Sequence, residues 1–348
     1  MNAQRDSDSV PASLWRSARL FVTDEFAAPP VILRVDDSVI GTLGNFSAST
    51  GKAKSKKTFN VCAIVAEAMM GGTVLNYSAS LPPERRRILY VDTEQSRFHC
   101  KRVLCRILRL AGLPTEAHPP LLEFLCLRGY ATKERLRKIE EAIYDLDDLG
   151  LVVIDGIRDL AHDINSPGEA TDLITKLMQW TDERRIHIHT VLHLNKGDDN
   201  TRGHLGTELN NKAETVLQIT KDDFDRDVSS VAAMHIRDRD FEPFAFRIND
   251  DALPEPVEDY QPRQTTATKS FDYAEVCEAK HREALELLFS EADRVSYSSL
   301  IGRLQSSYAA IGHSFGINKA KQLKVFLENK RMIVKEDKFY RYNPEFHY

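Results

Sequence analysis

Cysteine is scarce and unpatterned in this 348-residue sequence. The five cysteines are odd in number and contain no C-x-x-C pair, which argues against a disulfide framework and against a zinc module. No run approaches the roughly 18–20 consecutive apolar residues that a membrane span needs, and the polar N-terminus lacks the apolar stretch of a signal peptide. We therefore expect reduced thiols and a cytoplasmic protein that does not enter a membrane.

An excess of basic residues is also missing. The formal net charge is −5, so the chain has no general basic coat of the kind that attracts nucleic acid. Any contact with nucleic acid must come from local basic loops or from several chains assembled around the polymer. The 42% hydrophobic and 28% charged content is the balance of a globular protein that can bury a sizeable core.

The composition divides the chain into four parts. Residues 1–30 form an N-terminal arm, and residues 31–249 alternate short apolar runs with helical patterns. Residues 250–269 hold three prolines among acidic residues, which predicts a linker. Residues 270–348 carry three helical stretches and then two short strand runs joined by a polar turn, which is the order of a winged helix-turn-helix domain.

The large central part has the pattern of an α/β fold. Its strand candidates are Ile88–Val91, Leu122–Leu127, Leu151–Ile154, Ile186–Leu194 and Val216–Ile219. Its helix candidates are Thr58–Met70, Gln95–Ala111, Thr132–Leu146 and Glu169–Arg184. Because the strands are apolar throughout and separated by helices, we expect a mostly parallel sheet with helices on both faces.

The most informative segment is the lysine-rich stretch Gly51–Thr58, which we place between a strand at Val39–Leu43 and a helix. It fits G-x-x-x-x-G-K-[ST] except that Lys56 stands where the second glycine belongs, in a position that often needs a backbone geometry easy only for glycine. A loop that opens into a helix aims backbone N–H groups at phosphate oxygens, so Lys57 would reach the terminal phosphates and Thr58 would hold magnesium. The alternative is a solvated lysine-rich loop.

Two strands end in carboxylates. Asp155 ends a buried strand, the usual way to place an acid beside a phosphate-bound magnesium, although a helix cap or turn former is the alternative. Asp92 and Glu94 follow another strand and are two residues apart, so both point to the same side. Glu94 could then orient or deprotonate an attacking water. In the alternative, Asp92 forms a turn and Glu94 pairs with Arg97 on the surface.

A strand around Val191–Asn195 and a polar loop follow these motifs. The order of lysine-rich loop, strand with Glu94, strand with Asp155 and this last strand resembles that of the RecA-like ATPases over about residues 31–248. Within these the sequence is most similar to the RepA-type replicative helicases and the AAA-labelled ATPases of bacterial mobile elements and plasmids. The resemblance implies an open, mostly parallel sheet, ring assembly, commonly hexameric, and Mg²⁺-dependent ATP hydrolysis at subunit interfaces. The nucleotide-binding positions it implies are Gly51, Ser55, Lys56, Lys57 and Thr58.

The resemblance also implies catalytic roles. Thr58 and Asp155 correspond to the magnesium ligands, Glu94 to the catalytic glutamate, and His193 to the strand-end residue that senses the γ-phosphate. The sequence departs from the family's pattern in two respects, at Lys56 and in lacking a separate primase-binding domain.

The polar loop after His193 is the position where RecA-like proteins contact DNA. Lys196, Arg202 and His204 are the residues that could touch a strand passing through the ring. An ordinary polar surface loop is the alternative, and the acidic residues in the loop favour it.

Two arginines, Arg237 and Arg239, end a late strand and lie two residues apart, so both face one side. The resemblance implies that such a pair enters the neighbouring subunit's site and neutralises charge on the transferred phosphoryl group. The alternative is a set of salt bridges with Asp238 and Asp240 within one subunit.

The C-terminal part is locally basic. The segment Phe315–Arg341 holds eight basic residues against three acids. Lys321 and Lys324 are three residues apart and share a helix face, so we expect a helix laid on a phosphate backbone. The alternative is a winged helix that docks a protein partner, with lysines covering a solvated face.

Together these features predict an ATP- and Mg²⁺-dependent motor that acts on DNA, a replicative helicase of a plasmid or mobile element. The expected partners are single-stranded DNA through a homo-oligomeric ring, duplex DNA at the winged helix, and a replication or transposition protein. Two alternatives stay open. One is an ATP-switched DNA-binding protein that recruits a transposase, integrase or replication initiator without unwinding, and the other is a transcription regulator whose ATPase core has decayed.

Overall fold

The computed structural model describes residues 14–194, 203–222, 225–258, 260, 272–273 and 276–346. The chain divides into two units, Met1–Pro262 and Arg263–Tyr348. No helix within the described ranges combines the length and the apolar character that crossing a membrane requires.

The first unit alternates strands and helices along the chain. Its strands are β1 (Val31–Val35), β2 (Ser38–Thr42), β3 (Phe46–Gly51), β4 (Tyr77–Ala79), β5 (Arg87–Asp92), β6 (Leu122–Cys126), β7 (Leu149–Asp155), β8 (His187–His193), β9 (Thr215–Lys221), β10 (Val228–Ile236), β11 (Phe244–Ile248) and β12 (Pro254–Pro256). Its helices are α1 (Lys57–Met70), α2 (Arg97–Leu110), α3 (Thr132–Asp145), α4 (Pro167–Arg184) and α5 (Gly203–Lys212), with short 3-10 helices at Leu14–Ala18, Pro83–Arg85 and Ile157–Leu160.

Nine of these strands form one sheet, in the order β12-β11-β10-β9-β3-β8-β7-β5-β6. The six strands from β9 to β6 pair in parallel, and β10, β11 and β12 extend the sheet with antiparallel pairs. The predicted α/β fold with a mostly parallel sheet is confirmed. Because parallel strands share a direction, β3, β5, β7 and β8 all end at one edge of the sheet.

Apolar side chains cover both faces of the sheet. Ile88 and Tyr90 of β5 join a cluster with α1 and α2, while Leu89 and Val91 join the opposite cluster with α3, α4 and α5. The small sheet β2-β1-β4 lies over α1 on the first face. Burial on both sides explains why these strands read as continuous apolar runs.

Strand β3 is the exception, because polar residues fill its buried core positions. Ser47 Oγ lies 2.7 Å from His187 Nε2 and 2.8 Å from His189 Nδ1, and Ser49 Oγ lies 2.8 Å from His189 Nε2. His187 Nδ1 lies 2.9 Å from the carbonyl oxygen of Thr42, which can only accept, so His187 carries its proton on Nδ1. The chain of donors then requires Ser47 to donate to His187, His189 Nδ1 to donate to Ser47, and Ser49 to donate to His189.

This polar strand corrects the sequence-based assignment of the lysine loop. The strand predicted at Val39–Leu43 is β2, which belongs to the small sheet, and the strand that leads into the loop is β3. Its serines and threonine gave no apolar signal, because hydrogen bonds rather than apolar side chains allow their burial.

The predicted linker at residues 250–269 also begins too early. Pro254–Pro256 form β12, which pairs with β11 at the edge of the large sheet. Proline is tolerated there because an edge strand needs backbone hydrogen bonds on one side only.

The described part of the second unit contains three helices and a small sheet. Its elements are α6 (Glu278–Phe289), β13 (Val295–Ser296), α7 (Tyr297–Ala310), α8 (Ile317–Asn329), β14 (Ile333–Glu336) and β15 (Phe339–Tyr342). The strands form an antiparallel sheet in the order β13-β15-β14, and the unit has its own apolar core around Leu300, Leu323 and Tyr340.

The buried histidines predict a pH dependence of stability. Burial lowers the pKa of His187 to about 4 and that of His189 to about 3, so neither is protonated in the folded chain near neutral pH. Unfolded histidines bind protons near pH 6.5, so the free energy of unfolding should fall as the pH drops from about 7 to 5. His189→Gln should make this slope shallower by up to about 1.4 kcal/mol per pH unit.

Urea unfolding at several pH values measures these slopes. His162→Gln, at an exposed site, is the matched control and should keep the wild-type slope. Equal slopes for His189→Gln and the wild type would contradict the interpretation.

Candidate active site

The lysine loop, residues 52–56, connects the end of β3 to the start of α1. Lys54 and Lys56 both have φ of 66°, in the left-handed region. The position where the motif calls for glycine therefore has the geometry that glycine adopts easily, and Lys56 adopts it at a cost of roughly 1–2 kcal/mol. The substituted loop keeps the expected backbone path despite the departure from the motif.

Close packing makes Gly51 a second special position. A Cβ atom there would lie 2.3 Å from the carbonyl oxygen of Ile219 and 2.5 Å from Ser55 Oγ. Ser55 is buried, and its hydroxyl has no hydrogen-bond partner among the described residues. An orphaned hydroxyl inside such a loop is what a ligand with acceptor oxygens would satisfy.

Lys57 folds its side chain back over the loop. Its Nζ donates to the carbonyl oxygens of Gly51 at 2.8 Å and Lys52 at 2.9 Å. Burial lowers the pKa of Lys57 to about 8, while the nearby carboxylates of Asp155 and Glu94 oppose that shift. A buried ammonium beside a helix N-terminus is an anchor for anionic oxygens.

Thr58, Tyr90 and Asp155 form one hydrogen-bonded group. Both hydroxyls donate to Asp155 Oδ2, Thr58 Oγ1 at 2.9 Å and Tyr90 OH at 3.0 Å. Burial raises the pKa of Asp155 to about 6, the negative charge of Asp92 adds to the shift, and the two hydrogen bonds oppose it. A threonine hydroxyl next to a carboxylate at the edge of a parallel sheet is the oxygen donor set expected for phosphate-bound magnesium, so these residues fit that ion.

Glu94 pairs with His193 rather than with Arg97. Its Oε1 lies 3.5 Å from His193 Nε2, and this contact is the main reason that the pKa of Glu94 is lowered. Gly156 makes room for the glutamate, because a Cβ atom there would lie 2.2 Å from Thr93 Oγ1 and 3.0 Å from Glu94 Cγ. Glu94 is therefore ionised and oriented at the sheet edge.

Asp92 has the role of a turn former. Its Oδ1 accepts from the backbone N–H groups of Glu94 at 2.9 Å and Gln95 at 2.7 Å, and its Oδ2 accepts from Gln95 Nε2. These bonds fix the turn that presents Glu94. Asp92 and Glu94 therefore act differently, although both follow β5.

These groups share one pocket of about 390 Å³ at the carboxyl edge of the sheet. Its lining includes Lys54–Phe59 from the loop and α1, Asp92, Glu94 and Gln95 from the end of β5, and Asp155 and His193 from the ends of β7 and β8. β8 separates β3 from β7, and Gly51 is the register partner of His193. The sheet order thus brings together the residues that the sequence placed about a hundred positions apart.

Two predicted residues lie far from this pocket within the same chain. Arg237 follows β10 at the opposite end of the sheet, where its backbone N–H donates to Glu214 and its Nη2 to the carbonyl oxygen of Lys212 at 3.1 Å. Arg239 follows two residues later. The length of β3, about 17 Å, separates this end from the lysine loop. Asp238 accepts from the backbone N–H of Val39.

The predicted nucleic-acid contacts are distributed over the chain. His204 is exposed on α5, whereas Lys196 and Arg202 lie outside the described residues. Lys321 is exposed on α8 in the second unit. Lys324, the other predicted phosphate contact on α8, has its Nζ 2.5 Å from Glu328 and over the ring of Tyr340.

Sequence reasoning missed Tyr90, which donates to Asp155, and the residues of α2 that line the pocket. Tyr90 could have been found from strand alternation, because it lies two residues before Asp92 and on the same side. His99, Arg102 and Arg106 reach the pocket from α2 and belong to no motif. Arg106 lies over the ring of Phe59 at 3.8 Å and donates from Nε to the carbonyl oxygen of Ala252.

The fold and the pocket together define a class. A loop between a strand and a helix carries lysine and threonine, a carboxylate ends a nearby strand, and a glutamate ends the next, which is the arrangement of a RecA-like P-loop ATPase. The AAA domain family model matches residues 16–199, and the chain belongs to this family of nucleotide-binding proteins.

Comparison with other known proteins adds the following. A crystal structure of the RadB recombinase superposes with a TM-score of 0.44 and 15% identity, over 62% of this chain and 92% of that one. No curated protein matches the sequence.

The strained loop predicts a stabilising substitution. Lys56→Gly should raise the free energy of unfolding by about 1 kcal/mol, because glycine removes the left-handed strain at φ 66°. Lys52→Gly, in the same loop but outside the left-handed region, should lower it or leave it unchanged. Thermal unfolding of the two variants measures the difference, and a loss of stability in Lys56→Gly would mean that its side-chain bond to Arg226 outweighs the strain.

Proposed function

We propose that this chain is an ATP- and Mg²⁺-dependent motor that acts on DNA, of the ring-forming replicative helicase type found on plasmids and mobile elements. The single observation that carries the proposal is the convergence of Lys57, the Thr58–Asp155 pair and the Glu94–His193 pair in one pocket. This set supplies phosphate binding, metal binding and water activation at neighbouring positions.

Binding begins with the lysine loop. Lys57 exchanges its bonds to the carbonyl oxygens of Gly51 and Lys52 for bonds to phosphate oxygens. The negative charge of the phosphates favours the protonated form of the lysine. The orphaned hydroxyl of Ser55 gains a partner in the same step. Thr58 and Asp155 would hold magnesium, which would supply charge neutralisation to the phosphates.

Glu94 is the group that orients and deprotonates the attacking water. Its lowered pKa keeps it ionised, and Asp92 fixes the turn that carries it. His193 holds the carboxylate and lies beside Gly51, so the strand that ends at His193 contacts both the water-activating residue and the loop. A change in phosphate occupancy can thereby move the end of β8, which leads into residues 195–202.

In an assembled ring, arginines of a neighbouring subunit would add positive charge to the pocket. Arg237 and Arg239 are too far from their own pocket to contact a nucleotide there, so we assign them to the pocket of a neighbouring subunit. The geometry supports this because their end of the sheet is opposite to the lysine loop. A head-to-tail arrangement, with six subunits as the family resemblance implies, would close such contacts into a ring.

The second unit is best explained as a winged helix-turn-helix. Its order of helix, strand, two helices and hairpin supports that assignment, with α8 as the helix that contacts DNA. The exposed face of α8 presents Lys321 and Gln322, which can reach phosphates and base edges, and Val325, which can contact a thymine methyl group.

The same face favours a second candidate function. Ile317 and Val325 are 56% and 49% exposed on α8, and apolar side chains at i and i+8 also suit the docking of a protein helix. In that case the chain is an ATP-switched DNA-binding protein that recruits a transposase, integrase or replication initiator. Strand displacement by the purified protein distinguishes the two, because a recruiting switch hydrolyses ATP without separating strands.

Hydrolysis of ATP, measured with and without single-stranded DNA, tests the proposal directly. Lys57→Ala should abolish nucleotide binding, whereas Lys56→Ala, one residue away, should have a much smaller effect. The Nζ of Lys57 lies against the carbonyl oxygens of the loop, whereas that of Lys56 donates to the carbonyl oxygen of Arg226. Glu94→Gln should keep nucleotide binding and lose turnover by about 10²–10⁴-fold. Equal losses from both lysine variants, or normal turnover in Glu94→Gln, would contradict these roles.

The trans role of the arginines has its own test. Arg237→Ala and Arg239→Ala should lower turnover while single-subunit nucleotide affinity stays near the wild-type value. Mixing either variant with Glu94→Gln should restore part of the activity at interfaces that receive an intact arginine and an intact glutamate. Failure to recover at any ratio, in subunits that demonstrably assemble, would assign the arginines a structural role within one subunit.

A further inference from the structure

Helix α2 carries more positive charge than the proposed nucleotide pocket uses. Five of its fourteen residues are arginine or lysine and none is acidic. The side chains that anchor the helix to the core are apolar, with Val103, Ile107 and Leu108 buried. Like charges one turn apart weaken a helix by a few tenths of a kcal/mol per pair. The concentration of basic residues on α2 therefore does not stabilise the helix.

These charges surround a groove of about 330 Å³ between α2 and residues 251–253, which we call the α2 groove. Its lining side chains from α2 are Phe98, Lys101, Arg102, Cys105, Arg106 and Arg109. Four cations therefore face one carboxylate, that of Asp251. Among the described residues, Lys101, Arg102 and Arg109 have no carboxylate within ion-pair distance. The charge of Arg109 acts on the exposed Glu116, whose pKa is lowered first by hydrogen bonds and also by this arginine.

An aromatic ring stands at one end of the same groove. Phe98 is 70% exposed, contacts the edge of His99, and takes no part in the apolar core. Phe98 and Arg109 are eleven residues apart, so the helix displays ring and charges along about 16 Å. That length accommodates several stacked nucleotides at about 3.4 Å each.

We propose that the α2 groove binds single-stranded DNA, with a base stacked on Phe98 and phosphates on Lys101, Arg102 and Arg109. Exposed aromatic rings interleaved with unpaired cations are the combination that binds single strands without reading sequence. The proposal rests on the DNA-acting function proposed above and adds α2 to the segments expected to contact DNA.

The groove also touches the proposed nucleotide pocket. Arg102 and Arg106 line both, and Arg106 is held between the ring of Phe59, next to Thr58, and the carbonyl oxygen of Ala252 in the groove wall. A strand in the groove and a nucleotide in the pocket would therefore contact the same two side chains. DNA bound in the groove would stimulate turnover through these two arginines.

The test uses substitutions that leave the proposed nucleotide pocket intact. Lys101→Gln and Arg109→Gln neutralise charges that line the groove alone, and Phe98→Ala removes the ring. Arg137→Gln, an exposed arginine on α3, is the matched control. Fluorescence anisotropy of a labelled thymidine oligonucleotide, measured over a range of salt concentrations, gives affinity and salt slope for the full chain.

The two kinds of substitution should have different signatures. Each glutamine variant should weaken binding and reduce the salt slope by about one, because one phosphate contact is lost. Phe98→Ala should weaken binding about tenfold with an unchanged slope, because stacking is not ionic. Turnover without DNA should remain at the wild-type level in all of them, while its stimulation by DNA falls.

Other outcomes overturn the proposal in distinguishable ways. Wild-type DNA affinity in the double glutamine variant and in Phe98→Ala would exclude the groove as a DNA site while leaving the DNA-acting function intact. Loss of self-association in sedimentation, with unchanged DNA affinity, would assign the groove to an acidic surface of a second copy. A wild-type chain that hydrolyses ATP but binds no single-stranded DNA would overturn the proposed function along with the groove.

Discussion

The buried carboxylate of Asp155 is the point on which the candidate site depends. It ends β7, accepts from Thr58 at the start of α1, and accepts from Tyr90 on β5, so one group ties together three elements that meet only in the folded chain. Its burial is tolerable because both hydroxyls satisfy it. Removing either hydroxyl would leave a buried acid with fewer partners, and removing that of Thr58 would also break the hydrogen bond between α1 and β7.

The lysine loop shows how a motif can change its sequence and keep its shape. Glycine is the usual solution to a left-handed backbone, but the loop here places Lys54 and Lys56 in that region and holds Lys56 through a bond to the carbonyl oxygen of Arg226. The packing of Gly51 against Ile219 shows which glycine has no substitute. The backbone path, rather than the identity of each residue, is what positions Lys57.

Much of the core and of the pocket could be predicted from the sequence, because apolar strands, helical spacing and strand-terminal acids are local signals. The parallel sheet and the grouping of Lys57, Glu94 and Asp155 follow from such signals. β3 could not be predicted, since its burial depends on histidines about 140 residues away. The pairing of Lys324 with Glu328 is an i,i+4 contact within α8 that the spacing could have predicted. The groove along α2 depends on which side of that helix faces residues 251–253, which composition does not give.

The serine–histidine ladder between β3 and β8 has a consequence for how the chain finds its native pairing. Two apolar strands can slide past each other with little loss, since one methyl group replaces another. Here a slip by one residue would turn Ser47 and Ser49 away from His189. Their hydroxyls and the imidazole would then be buried without hydrogen-bond partners. The ladder therefore specifies the register of β3 and β8. The same register places their ends, Gly51 and His193, side by side at the candidate site.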